Sequence, residues 1–290
     1  MSTIKLHVHA KQYPHAGRMR KRIRILNGSK PNRKLELWYK AELLKLVKFV
    51  AKRTEDELLP LLKQTERMWS KSADSHMVGD GIWDDINKKI NSLSGSFGGL
   101  RDTAQRLAAL AAQRSKESVD ASLAAAIRDS VKIDITGALG SGSIAPVMEK
   151  AMVQNVELIT SIPDQYLQKV RQTVFEGVGK GERYEQVADR IQHIADVTES
   201  RAKLIARDQV SKMNGAFNEA RQTSLGIDKY VWSTSHDERV RDSHAENDGK
   251  VFSWNDPPPT GHPGEDIQCR CVALPYFDLD AEEKSLGITE

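Results

Sequence analysis

Between Lys34 and Ser224 the apolar residues recur at close to the 3.6-residue period of an α-helix, which restricts the chain to a mostly helical fold. Leu35, Trp38, Leu43, Leu46, Val47 and Val50 form the first stripe, and Leu58, Leu59, Leu61, Leu62 and Trp69 carry it past Pro60. Ile82, Ile86, Ile90 and Leu93 make a second stripe, and the Ala-rich stretch from Leu100 to Ile127 a third. Ser94-Gly95-Ser96-Phe97-Gly98-Gly99 separates these two with turn chemistry. Thr136 to Ser143 (TGALGSGS) is the best candidate for a boundary. Helices are expected beyond it near 145–160, 164–177, 183–195 and 199–224, with Thr198 as an N-cap and Gly226 as a stop. Stripes of this kind usually pack a core or a partner helix.

After residue 227 the texture changes. Tyr230-Val231-Trp232 has the composition of a strand, polar turns and the Pro257-Pro258-Pro259 cluster follow, and a short apolar run goes from Val272 to Phe277. The expected fold is mainly α with a small α+β C-terminal module. Its expected division is a basic N-terminal arm over 1–33, a helical region over 34–140 and a third region over 141–290.

Charge is unevenly spread. The 290 residues hold 43 Lys and Arg against 40 Asp and Glu, a formal net charge of +3. Residues 1–53 carry 15 of the bases and only two acids, Glu36 and Glu42, so their local charge is +13. The remaining residues therefore carry −10. Arg18, Arg20, Lys21, Arg22 and Arg24 dominate the arm and suit DNA phosphates or an acidic protein partner. Tyr13 is the only aromatic residue before position 34, so no base-stacking platform is expected. A solvated tail, or a short strand through Ile23 and Ile25, are the competing readings of the same residues.

Only 39% of residues are hydrophobic, and no run reaches the ~18 apolar residues that span a bilayer, so no membrane is expected. The first twenty residues lack the apolar core of a signal peptide, which makes the reducing cytoplasm the default location. Two cysteines exclude a disulfide-rich scaffold. No phosphate-binding G-x-x-x-x-G-K-[ST] motif is present, and Gly177-Val178-Gly179-Lys180-Gly181 follows a helix, so it is a helix stop.

The densest set of chemically versatile side chains lies after Gly226: Trp232, Asp237, Arg239, Arg241, His244, Gly249, Pro263, Gly264, Cys269, Arg270 and Cys271. Two thiols with His236, His244 and His262 nearby are zinc-type ligands, and His244, His262, Cys269 and Cys271 are the zinc candidates. Cys269 and Cys271 are one residue apart, closer than the finger spacing of two to four. On a strand they share a face, so both sulfurs point at one ion or into one core as packed reduced thiols. Asp237, His244 and Cys269 also supply the types for a catalytic triad, against which stands simple ion pairing by Arg239, Arg241 and Arg270.

These residues carry a resemblance. The Trp232 position, the D-x-R-x-R-x-x-H run at Asp237, Arg239, Arg241 and His244, Gly249, Pro263-Gly264 and Cys269-Arg270-Cys271 are together similar to the Mu F-like family of phage minor head proteins. The preceding Ile205-Ala206-Arg207-Asp208-Gln209, with Asn214 and Asn218, resembles that family's I-A-R segment, although some members have Thr-Glu where this chain has Asp208-Gln209. The similarity spans roughly residues 145–276, which assigns the third region, 141–290, to the family's head morphogenesis domain. It implies a minor capsid protein acting in phage head morphogenesis, an assembly factor and not an enzyme. Implied partners are the portal protein, major capsid or scaffold protein and packaged DNA. The implied location is the virion, with the host cytoplasm during assembly. The family brings no established catalytic residues. A metal- or thiol-dependent hydrolase in the C-terminal module is the alternative function.

Overall fold

The computed structural model describes residues 23–69, 80–132, 134–141 and 144–278. Arg18, Arg20, Lys21 and Arg22 lie outside the described residues. The described residues contain seven helices and four strands. In chain order these are β1 (Ile23–Ile25), α1 (Arg33–Trp69), α2 (Asp80–Phe97), α3 (Leu100–Val131), α4 (Thr136–Ser141), α5 (Ala145–Gly179) and α6 (Tyr184–Ser224). After these come β2 (Lys229–Ser233), α7 (Asp242–Ala245), β3 (Val251–Ser253) and β4 (Val272–Asp278). The mainly helical fold with a small C-terminal α+β module is what the periodicity predicts. None of these helices is long and apolar enough to cross a membrane.

Local chemistry sets the helix ends. Asn32 Oδ1 accepts the Lys34 and Leu35 amides at 3.0 and 3.1 Å and caps α1. Asp134 Oδ1 does the same for Thr136 at the start of α4. α5 ends in a Schellman turn at Gly181, whose φ is +66°, with the Glu182 amide on Gly177 O and the Gly181 amide on Val178 O. α6 ends the same way at Gly226, φ +79°, with the Ile227 amide on Gln222 O. Both glycine stops are where the sequence puts them.

Several expected breaks are absent. Pro163 lies within α5, so the expected helices at 145–160 and 164–177 are one, while Pro60 lies within α1, where the stripe is expected to run past it. Proline removes one backbone hydrogen bond, but the helices bury Leu58 and Leu62 beside Pro60, and Ile159 and Ile162 beside Pro163, at 0% exposure. Packing outweighs the lost bond. Thr198 is likewise no N-cap: α6 runs through it, and its hydroxyl donates to Ile194 O at 2.8 Å, which satisfies the buried side chain inside the helix. The Ser94–Gly99 turn shrinks to Gly98-Gly99.

The chain folds into two compact units, each gathered from stretches distant in sequence. One takes residues up to Glu36, Leu110–Ala151 and Arg207–Glu290; the other takes Leu37–Ala109 and Met152–Ala206. Every division falls inside a helix, whereas the linear reading places its divisions at 33/34 and 140/141.

In the unit formed by 37–109 and 152–206, buried residues such as Leu43, Val47, Ile86, Ile90, Val170 and Val174 are the apolar stripes of the sequence. Their polar partners close locally. Tyr39 Oη donates to Asn155 Oδ1 at 2.7 Å, and Trp69 Nε1 donates to Glu182 O at 3.0 Å.

The other unit carries the sheet, antiparallel throughout in the order β1-β4-β2-β3. Its register places Trp232 opposite Ala273 and Arg24 opposite Phe277. One core cluster joins Leu26, Leu123, Ile127, Ile135, Leu139, Leu225, Ile227 and Phe277. The Thr136–Ser143 segment is therefore largely the helical turn α4, whose Leu139 packs into this core. The end of the basic arm is integrated too. Ile23–Ile25 form an edge strand, Leu26 is buried, and Ser29 O accepts the Asn214 and Asn218 side-chain amides at 2.9 and 3.2 Å.

Candidate metal centre

β2 delivers Trp232 to the inside of the module, and the turn that follows returns the chain over it. The Gly249 amide donates to Trp232 O at 2.8 Å and the Trp232 amide to Lys250 O at 2.9 Å. Gly249 has φ +75°, so the glycine meets a left-handed turn requirement. The short α7 on this excursion presents His244, which is 2% exposed and stands edge-on to the Trp232 ring at 5.4 Å and 82°.

Cys269 and Cys271 sit just before β4 and are both buried and free. Their one-residue separation puts both sulfurs on the same side, as the strand period predicts. Each approaches the same imidazole nitrogen: His244 Nδ1 lies 3.6 Å from Cys269 Sγ and 3.5 Å from Cys271 Sγ. The opposite nitrogen, Nε2, is 3.0 Å from Asp266 Oδ2. Among the described residues these three side chains form the one group whose ligand atoms lie close enough for a shared metal, all within 4.8 Å of one another.

The loop carrying the cysteines is pinned to α6. A Cβ at Gly215 would stand 2.7 Å from Pro263 O, and one at Gly264 would stand 3.1 Å from Ser211 O. Gly264 also has φ +97°, and its amide points at Cys269 Sγ at 3.4 Å. Asp208 Oδ1 accepts the Gln268 amide at 2.8 Å, which holds the residue before Cys269 in its left-handed conformation, φ +57°. The polar face of α6 thus shapes the cysteine loop.

The arginines of the motif divide into two kinds. Arg270 grips Asp237 through both terminal nitrogens, and this holds the Asp237 carboxyl below the usual carboxylate range. Arg241 donates to Ile267 O at 2.8 Å and lies 3.4 Å from Asp266 Oδ2. Arg207 and Arg239 have no ion pair among the described residues. All four line a cavity of about 220 Å³ that also meets His244, Cys269 and Cys271.

Hydrogen bonding with the neighbouring Cys271 thiol is the main influence lowering the Cys269 thiol to about 6, helped by the Cys271 and Gly264 amides and by His244. The same bond, with burial, raises the Cys271 thiol. The first proton of the pair leaves readily and the second is held.

Of the residues the sequence singles out, the structure brings Cys269, Cys271 and His244 together and leaves His262 and Asp237 apart from them. His262 is elsewhere: its Nδ1 is 3.0 Å from Tyr230 Oη and its ring packs on Trp254. Asp237 pairs with Arg270, so the carboxylate on His244 is Asp266, 22 residues downstream of it and unmarked by any motif. Cys269, His244 and Asp266 also stand in the order thiol, imidazole and carboxylate. Both sulfurs address one nitrogen, which is how a ligand set converges on an ion. His236 is exposed and leans on Thr234 and Asp248.

Residues 168–274 match the family described as Phage Mu protein F like protein. Over this segment the chain is similar to that family. The Mu F-like segment takes in the C-terminal part of α5, all of α6, and β2, α7, β3 and the start of β4, with every residue of the cluster. Its sheet gains an edge strand from outside it, since β1 pairs with β4.

Among curated proteins, an uncharacterized protein of Haemophilus influenzae is 34% identical over 263 residues, 89% of this chain and 56% of its own length. An uncharacterized protein of Methanocaldococcus jannaschii is 32% identical over 123 residues, 41% of this chain and 19% of its own length. The minor head protein GP7 of Bacillus phage SPP1 is 26% identical over 140 residues, 43% of each chain. The chain thus spans about half the length, or less, of these relatives. No solved structure matches the chain.

Proposed function

We propose that this chain is a minor head protein that acts in phage head morphogenesis through assembly contacts, not catalysis, and ends in the virion. One observation carries the reading. The segment matched by the family, in a chain similar in part to a protein named as a phage minor head protein, contains a module whose motif residues hold one another in place. Trp232 braces His244, Arg270 clamps Asp237, Gly264 fits against α6, and Gly249 turns the chain back onto β2. These residues build a rigid element for docking, as an assembly factor requires.

Within that role the partners are the portal protein and major capsid or scaffold protein during assembly in the host cytoplasm. The basic stretch before β1 faces packaged DNA. Mass spectrometry of purified particles tests the reading. A few copies per head, and co-purification with the portal from assembling cells, are the expected result. A chain absent from both particles and procapsids would overturn it.

A further inference from the structure

We infer that His244 Nδ1, Cys269 Sγ and Cys271 Sγ are three ligands of a zinc-type divalent cation, whose fourth position opens to the arginine-lined cavity. The distances fit. With Zn–S of about 2.3 Å and Zn–N of about 2.0–2.1 Å at tetrahedral angles, ligand nitrogen and sulfur stand about 3.5 Å apart. The two observed separations are 3.5 and 3.6 Å.

The surroundings are those of a ligand set. Asp266 Oδ2 accepts the Nε2 proton of His244, which leaves the Nδ1 lone pair facing both sulfurs. A carboxylate on the far nitrogen is the usual device for fixing a metal-bound imidazole. The Gly264 amide aims at Cys269 Sγ, a donor that suits sulfur carrying negative charge.

Two thiolates and an imidazole select a soft or borderline cation over calcium or magnesium, which take oxygen ligands. The third ligand comes from α7 and not from a second cysteine pair, so the one-residue cysteine spacing is no obstacle. All three ligands border the cavity, and the vacant fourth position therefore faces Arg207 and Arg239. This inference is independent of the virion role: a zinc site stands or falls by metal content, whatever assembly the chain enters.

The test uses the full chain without a polyhistidine tag, expressed in zinc-supplemented medium and purified under reducing conditions without chelator. Elemental analysis should find about one zinc per chain. Cobalt(II) added to the metal-stripped protein should give thiolate-to-metal charge-transfer absorption. Cys271→Ser should lose that absorption, and Asp266→Asn, which leaves all three ligands in place, should weaken zinc by about 10–100-fold in competition with a chromophoric chelator. His262→Ala should retain the metal in full. Wild-type protein with less than about a tenth of a zinc per chain and no cobalt charge transfer would overturn the site. Metal retained by Cys271→Ser, or lost from folded His262→Ala, would overturn this ligand set.

Discussion

Gly215 and Gly264 decide how closely the cysteine loop approaches α6, and this makes single atoms matter. Alanine at Gly215 gains about 1 kcal/mol of helix propensity, but its Cβ would meet the Pro263 carbonyl at 2.7 Å, and a backbone oxygen cannot swing aside. Overpacking of this kind costs about 1–3 kcal/mol. Gly215→Ala should therefore show a net loss of stability in urea unfolding, and it should displace the loop that carries Cys269. Glu219, also on α6, gives a pH-dependent case. Burial raises its carboxyl pKa, with Glu265 adding to the effect and His262 and Lys150 opposing it. A carboxyl raised in the fold favours the folded state below the unfolded carboxylate range and loses that contribution as pH rises through its own pKa. Glu219→Gln should thus raise the melting temperature at pH 7, with the gain shrinking as pH falls towards the carboxylate range. A gain that grows on acidification would contradict the buried assignment. At this scale the sequence exposed Cys269, Cys271 and His244 because rare, reactive residue types stand out. Asp266 was hidden, since an aspartate among 40 acidic residues carries no mark until folding places it on His244.

Helix ends were legible where glycine supplies the left-handed turn, and illegible where packing decides. Gly226 is the clearer case: its φ of +79° closes α6 and directs the chain into β2. An L side chain in that conformation costs about 1–2 kcal/mol. Gly226→Ala should lower the unfolding free energy by that amount in urea denaturation, while circular dichroism shows unchanged helix content. Pro163 and Thr198 mislead for one physical reason. Each is a local signal for a break, worth one hydrogen bond or one cap, and each sits in a helix that buries apolar residues on both sides of it or close by, Ile159 and Ile162 near Pro163 and Ile194 and Ala202 around Thr198. A second element-level case is the pair between the buried Arg221 on α6 and the partly exposed Asp120 on α3, with Arg221 Nε 2.6 Å from Asp120 Oδ1. The partners are 101 residues apart, so no pattern within either helix announces them.

At the scale of the molecule, the two units escape a linear reading because long helices belong to both and the sheet recruits the far end of the chain. Leu26, Leu225 and Phe277 share one core although about 200 residues separate the first two. That arrangement also locates where the basic stretch can be cut. Removing residues 1–33 would delete β1, Leu26 and Ser29, and so damage the sheet and the contacts of Asn214 and Asn218. Removing residues 1–22 spares all of these and takes away Lys5, Lys11, Arg18, Arg20, Lys21 and Arg22 with no acid, changing the formal net charge from +3 to −3. If this stretch faces packaged DNA, its affinity arises mainly from counterion release, with a slope of about 0.9 per neutralised phosphate. Six contacts would give a log–log salt slope of about −5. Fluorescence anisotropy with a random-sequence duplex across a salt series reads this directly. The full chain should bind with a steep slope, and the chain from Ile23 onwards should bind weakly, with little salt dependence and an unchanged melting temperature. Equal affinity and equal slope for both would remove DNA as the partner. An acidic protein surface would then be left as the complement for the basic residues before β1.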